Sequence, residues 1–345
     1  MRIFLSIASY CDPVLPFTLA RAVATASAPQ RLHFAVVDQS PAGSERLAAP
    51  GPARLTQVQV DLRDARGPCW ARALAMTLHD GEEWFLQLDS HMDFDPGWDE
   101  RLVAQAMALG APQRRLVLTS YPNAFVFEQG QVVRRPTTSG VLAQVVRPGA
   151  QFDPAHPVLP FEAHPVESTQ AMPAFHCGAG CLFAPGAIVQ DLPYDPWLYF
   201  HGEEQALTLR LYTHGWDLFH VPGLPIHHLY NDPDAGAPPR PLHWEPAHEA
   251  QREVSWWSHE QRSRARLASL VAGRTSACTA WARDARWRTS PPSAASTTRR
   301  ARSHRPPTCR ACPRTLRAAP PAPGTGRPRP WPCPAGCAAG RRGGR

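Results

Sequence analysis

The chain has 345 residues, 43% of them hydrophobic, enough to bury a sizeable core in one large α/β domain or two small ones, and its formal net charge is +7. That charge is unevenly placed. Residues 1–273 hold 20 Arg against 28 Asp and Glu, a balance of −8, whereas residues 274–345 hold 16 Arg against one acid, Asp284, a balance of +15. The acidic body argues against nucleic acid as its partner, and no transmembrane segment is read in the chain.

The first stretch, "MRIFLSIASY", carries one Arg and a short apolar run, too short for a secretion signal with its cleavage site or for a membrane span, and reads as a strand. With no export signal read, the body's cysteines, Cys11, Cys69, Cys177 and Cys181, are expected as free thiols in a reducing, cytoplasmic setting. A helix within 14–27 follows, then strands at "LHFAVVD" and "LTQVQV", a helix from Pro68, and a strand at "EWFLQLD". This alternation is a parallel α/β rhythm. Gly67-Pro68 fits a helix entry with Pro in the first turn, and the spacing places Trp70, Leu74 and Leu78 on one face, with Arg66 and Arg72 near the N-terminal end. In an open α/β sheet ligands gather at the carboxyl ends of the strands. Residues Ser6 to Tyr10, Asp38-Gln39 and Asp89 to His91 all fall there, so three loops are expected to line one crevice.

Residues 121–170 are rich in Pro and Gly and read as irregular loops shaping an acceptor site, with one strand at "VLAQVV". After them come "AFHCGAGCLFA", a strand broken by glycines, and "WLYFHGEEQALTLRLYTHGW", a loop and a strong helix. "DLFHVPGLPIHHLYN" reads as a strand running into a His-containing loop, and a last helix spans about 246–270. The tail, 274–345, is Pro-, Arg-, Ala- and Gly-rich without aliphatic periodicity, and cannot build a core. It reads either as a disordered basic arm or, preferably, as a GC-rich gene translated out of frame. Its pairs Cys309/Cys312 and Cys333/Cys337 lack the ordered His and hydrophobic framework of a zinc knuckle.

The chemistry concentrates in "QLDSHMDFD". Asp89 and His91 stand at alternate positions past a buried strand, so both point one way if the extension persists. A carboxylate oxygen and an imidazole nitrogen together suit Mn²⁺ or another divalent first-row metal better than Ca²⁺. A metal held so leaves positions open for diphosphate oxygens. Taken alone, the triplet is also what a solvated turn looks like.

Six stretches in order carry a resemblance: "IFLSIASYCDP", "DARGPCWARA", "LQLDSHMDFDPGWD", "HCGAGCLFA", "YFHGEEQALTLRLYTHGWDLF" and "HHLYN". Over about residues 1–270 they resemble the N-acetylglucosaminyltransferases that modify hydroxyproline on Skp1, and their bacterial relatives. The D-x-H triplet also resembles that of the polypeptide N-acetylgalactosaminyltransferases. The resemblance implies an α/β fold of the GT-A type in a single domain, 1–273, with 1–120 as the nucleotide-binding half and 121–273 as the acceptor and metal half. It implies UDP-GlcNAc as donor, Mn²⁺ or another divalent cation, and a hydroxyl on a protein or glycan acceptor, hydroxyproline in the family.

Residue by residue, the resemblance assigns Ser6, Ala8 and Tyr10 to the uridine, Arg66 and Arg72 to the nucleotide-sugar, and Ser90 to the donor site. Asp89 and His91 become metal ligands with His228 as the third, or His227 in its place. Gly178-Ala179-Gly180 would let a sugar approach the backbone, though a strand bulge explains it equally. Glu203 would contact sugar hydroxyls with Glu204 beside it, while Asp93 and Asp95 bond the loop or cap the helix carrying Trp98. Transfer in these relatives is taken to retain the anomeric configuration, with the donor's β-phosphate accepting the proton and no enzymic nucleophile. The competing reading is a sugar-nucleotide- or glycan-binding protein without turnover. Relatives continue past the last helix with a segment that Cys278 to Thr298 would spell if read one base out of frame.

Overall fold

The computed structural model describes residues 1–273 apart from Ala155 and Pro233; the expectations for the Arg-rich tail, its cysteine pairs and its reading frame lie outside the described residues. Strand and helix alternate first as β1 (Ile3–Tyr10), α1 (Leu15–Thr25), β2 (Leu32–Ser40), β3 (Arg54–Asp61), α2 (Pro68–Met76) and β4 (Trp84–Leu88). β1 pairs in parallel with both β2 and β4, and β2 with β3. Because strand side chains alternate, β1 serves two cores. Ile3, Leu5 and Ile7 pack against α1, whereas Phe4 joins the cluster that includes Cys69 and Met76 of α2. Each such fully buried side chain contributes about 1.5–3 kcal/mol.

Gly67 turns the chain into α2 with φ +85°, where a Cβ would lie 2.6 Å from the Tyr199 ring. The helix ends at Met76, so Leu78 does not share the stripe expected for it. Trp70 and Leu74 pack, as Val58 and Val60 do, against the small cluster of Val37, Ala71 and Ala75, while Leu78 sits beyond the helix against the other core.

The chain continues through β5 (Met92–Phe94), α3 (Trp98–Ala108), β6 (Leu116–Thr119), β7 (Asn123–Glu128), β8 (Gln131–Arg135), β9 (Val141–Val146), β10 (Phe161–Val166), β11 (Met172–Pro173) and β12 (Cys181–Pro185). It ends with α4 (Ile188–Asp191), α5 (Glu203–Thr213), β13 (Asp217–His220), β14 (Ile226–His228), α6 (Pro246–Glu249) and α7 (Trp256–Val271). The main sheet has the order β11-β13-β6-β12-β4-β1-β2-β3, so strands from both sides of residue 120 share it. β12 runs antiparallel to β4 and β6, which makes the sheet mixed beyond its parallel first half. α1 and α3 cover one face, and α2, α5 and α7 the other. Among the described residues no helix is long and apolar enough to cross a membrane.

Two expectations are corrected. Residues 121–170 are not irregular: β7 and β8 form a hairpin, and β9 pairs with β10. In the hairpin Gln129 and Gly130 both have positive φ, 49° and 76°, the two-residue turn whose twist matches that of the strands. The last helix is two helices, because Ser255 leaves helical geometry and its side chain caps a new start by accepting from the Ser258 N–H.

Candidate active site

The site is built where β4 ends. The Asp89 N–H donates to the Gly180 carbonyl (3.2 Å), and the chain then turns into β5, which pairs antiparallel with β14. In that register His228 faces Met92, and the Leu229 N–H donates to the His91 carbonyl (3.1 Å), so His91 and His228 become neighbours with ring centroids 4.7 Å apart. Donor atoms of Asp89, His91 and His228 lie within 4.8 Å of one another. His228 Nε2 and Asp89 Oδ2 stand 3.3 Å apart, close to the roughly 3 Å between adjacent ligands on metal bonds of about 2.1 Å. Two nitrogens and a carboxylate oxygen converging on one point fit a divalent first-row cation. The adjacent residue cannot substitute: alternation turns His227 away, and its Nε2 meets Asp95 at 3.0 Å.

Arg72, from the first turns of α2, reaches under this group. Its side chain is buried, one Nη donating to Asp89 Oδ1 (2.8 Å) and the other pairing with Glu203, which also accepts from the Tyr194 hydroxyl. Burial pushes the Asp89 carboxyl up, but the His228 hydrogen bond and the Arg72 guanidinium outweigh it and hold the carboxyl well below the usual carboxylate range. Burial likewise pushes His228 down to about 4 against the pull of Asp89, which leaves a neutral imidazole, the form a metal needs.

Asp89 and His228 form part of the wall of a cavity of about 110 Å³, with Tyr121, Gly178, Glu204 and Tyr230 around it. Glu204 accepts from the Ala179 N–H (2.9 Å) and from Gln144 Nε2 (2.6 Å). Burial raises its carboxyl to about 7, with Glu203 adding to the rise. Gly180 has no space for a side chain, since a Cβ there would lie 2.6 Å from Asp89 Oδ2, whereas one on Gly178 would meet nothing nearer than Gln144 Oε1 at 3.5 Å.

Residues 48–301 match the model of the family described as Glycosyltransferase (GlcNAc). The chain belongs to that family. The chain shares its GT-A fold with the crystal structure of GalNAc-T7 with UDP, GalNAc and Mn²⁺, at a TM-score of 0.51 and 15% identity over 67% of this chain. It spans 44% of the GalNAc-T7 chain. S. aureus TarS 1–349 in complex with UDP-GlcNAc is similar at a TM-score of 0.38 and 12% identity, over 79% of this chain and 73% of that one. No curated protein matches.

The geometry revises the roles expected of several residues. Ser6 is fully buried in mid-strand, its Oγ without a partner among the described residues, whereas Ala8 and Tyr10 are both partly exposed. The Tyr10 hydroxyl meets His248 Nδ1 (2.8 Å) and accepts from Arg252 (2.7 Å). Arg66 is exposed and lies over the Trp70 ring, 5.7 Å from its centroid. Arg72 is committed to Asp89 and Glu203 instead of a nucleotide-sugar. Glu203 is therefore not the acid on the cavity wall; its carboxylate is locked in that pair, and Glu204, one residue on, takes the place. Ser90 is buried and donates to Asp12 Oδ2 (2.6 Å). Asp93 pairs with Arg21 and Arg134, and Asp95 with Arg101 and Arg134, apart from Asp89, His91 and His228. Of the three strand ends expected to meet, β1 and β4 do so through Asp12, but Asp38 turns to Ser40 and Gln57. Cys11, Cys69, Cys177 and Cys181 are free thiols, and burial pushes Cys177 and Cys181 up to about 12. Sequence reasoning gave Asp12 and Gln144 no role, although Asp12 stands inside the quoted "YCDP" stretch.

Proposed function

We propose that the protein transfers N-acetylglucosamine from UDP-GlcNAc to a hydroxyl of a protein or glycan acceptor, with a divalent cation such as Mn²⁺ held by Asp89, His91 and His228. The observation that carries this reading is the convergence of those three donors at the edge of the Glu204 cavity, whose wall Asp89 and His228 help form. The family description and the UDP and Mn²⁺ in the GalNAc-T7 structure support it. When bound, the cation neutralises the charge that grows on the departing diphosphate.

The protein's own groups position. Arg72 fixes Asp89 by one carboxylate oxygen and leaves the other facing His228. Glu204, its carboxyl pushed up to about 7 by burial, offers a hydrogen-bonding oxygen to a sugar hydroxyl, with Gln144 steadying it. Ala8 and Tyr10 at the carboxyl end of β1, with the exposed Arg66, would receive the nucleotide. No side chain is assigned as nucleophile or base, because the acceptor hydroxyl attacks from the leaving-group face and the donor β-phosphate takes its proton.

The test is UDP release by the full chain given UDP-GlcNAc, UDP-glucose or UDP-GalNAc with MnCl₂, beside Asp89→Ala. Turnover favouring UDP-GlcNAc and lost in the variant is expected. Absence of turnover with every donor, or an Asp89→Ala chain as active as the wild type, overturns the assignment.

A further inference from the structure

Asp12 lies just past the end of β1, outside the ligand set, yet it is almost wholly enclosed, its side chain 4% exposed. Both of its oxygens are taken. Oδ1 accepts from the Val14 N–H (2.8 Å), the turn that opens toward α1, while Oδ2 accepts from Ser90 Oγ (2.6 Å) and meets His91 Nδ1 at 2.7 Å. A turn at a helix entry needs only the first of these contacts. The second oxygen reaches across to the loop between β4 and β5 and grips two of the three residues of the D-x-H triplet.

An ionised carboxylate can only accept, so the proton of a neutral His91 ring sits on Nδ1 and the lone pair on Nε2. The histidine's backbone is held as well. Thr18 Oγ1 donates to the Ser90 carbonyl (2.9 Å) and accepts from the Met92 N–H (2.8 Å), clamping the chain on either side of His91. The aim of Asp12 is itself built in: the preceding Cys11 has φ 46°, uncommon for a residue with a Cβ, and its N–H is tied to the Gln39 carbonyl (3.1 Å). Carboxylates that accept from the far nitrogen of a metal-binding imidazole fix its tautomer and orientation and raise its basicity.

We propose that Asp12 is a positioning residue of the metal centre, holding His91 in the tautomer that presents Nε2 to a divalent cation shared with Asp89 and His228. The inference rests on the metal-site reading above. It adds to the three ligands a fourth residue, which touches neither metal nor sugar.

The experiment uses the full chain and Mn²⁺ alone, without donor: wild type, Asp12→Ala, Asp12→Asn and, as control, Asp89→Ala, with free Mn²⁺ followed by electron paramagnetic resonance. In parallel, long-range ¹H–¹⁵N NMR of the metal-free wild type reads the His91 tautomer. Asp12→Ala is expected to weaken Mn²⁺ binding by about 10- to 100-fold. Asp12→Asn, whose amide oxygen still accepts from Nδ1–H, is expected to fall between it and the wild type. Wild-type affinity in Asp12→Ala beside lost binding in Asp89→Ala overturns the role of Asp12 while leaving the metal site standing. Wild-type protein whose Mn²⁺ binding ignores Asp89→Ala overturns the metal site itself. If the variants do not fold, the wild-type spectrum still decides, since a His91 protonated on Nε2 contradicts the proposal.

Discussion

Gly180→Ala tests the site by a displacement that can be read from the structure. The added Cβ would lie 2.6 Å from Asp89 Oδ2 and 3.2 Å from its Cγ, about 0.8 Å inside the 3.4 Å at which ordinary contact begins. A free surface carboxylate would swing aside at little cost. Asp89 cannot, because Arg72 holds Oδ1 at 2.8 Å, and Oδ2, the atom that must move, is the one facing His228. Functional constellations tolerate about 0.5 Å of error, and a misplacement near 1 Å costs about 100-fold in rate. The overpacking itself costs about 1–3 kcal/mol of stability, so the chain should still fold. Gly178→Ala, two residues away in the same loop, is the matched control: its Cβ meets Gln144 Oε1 at an ordinary 3.5 Å while entering the cavity. Mn²⁺ titration and UDP-GlcNAc turnover are measured on both, with thermal unfolding as the check on folding. Gly180→Ala should lose metal affinity and about 100-fold in kcat, whereas Gly178→Ala should keep metal affinity and raise the donor or acceptor KM. A Gly180→Ala chain with wild-type Mn²⁺ affinity and turnover would refute the claim that this glycine exists to make room for Asp89.

Three further predictions follow from the same geometry. His228→Ala should abolish Mn²⁺ binding by calorimetry, and His227→Ala should spare most of it while lowering stability, because His227 serves Asp95; equal losses would contradict the observed register. Burial lifts the Glu204 carboxyl from 4.5 to about 7, so the folded chain holds that proton more tightly than the unfolded one, and the stabilisation present below pH 4.5 is lost as pH rises through 7, a span of about 3 kcal/mol. Glu204→Gln, compared with wild type by urea denaturation without metal, should therefore gain relative stability across pH 4.5 to 7, and a constant difference would refute the burial argument. Arg72→Gln should destabilise the chain by about 3–5 kcal/mol in the same assay, since it leaves Glu203 buried and unpaired.

The sequence made the first half of the fold legible because its strands are apolar runs separated by helical periods, and there local pattern and tertiary role agree. It misled at 121–170, where Pro and Gly hid the alternating "FVFEQGQVV" hairpin, although Gln-Gly between two apolar runs was a readable turn. Asp89, His91 and His228 were legible as a set because two stand in one triplet and the third in "HHLYN". Which histidine of that pair belongs to the site was decided by strand register, a long-range property that no local window contains. The same holds for the adjacent acids at the start of α5. Helical geometry sends neighbours about 100° apart, so Glu203 enters the core beside Arg72 and Glu204 faces the cavity.

Arg72 shows why residue type alone assigns roles poorly. An arginine near a helix start beside a nucleotide-binding crevice invites assignment to phosphate, yet this one is enclosed between two carboxylates and has one formal charge for both. Asp12, Asp89 and Glu203 still outnumber Arg72 and the half-buried Arg240, whose charge acts on Asp12, Asp89 and His228. His228, held neutral, contributes none. A site with that balance of charge repels a diphosphate unless positive charge arrives from elsewhere. Under the proposed function the cation is then more than a Lewis acid: it offsets the negative charge of the site against which the donor must sit, for which Arg66, exposed and screened by water, is a weak replacement.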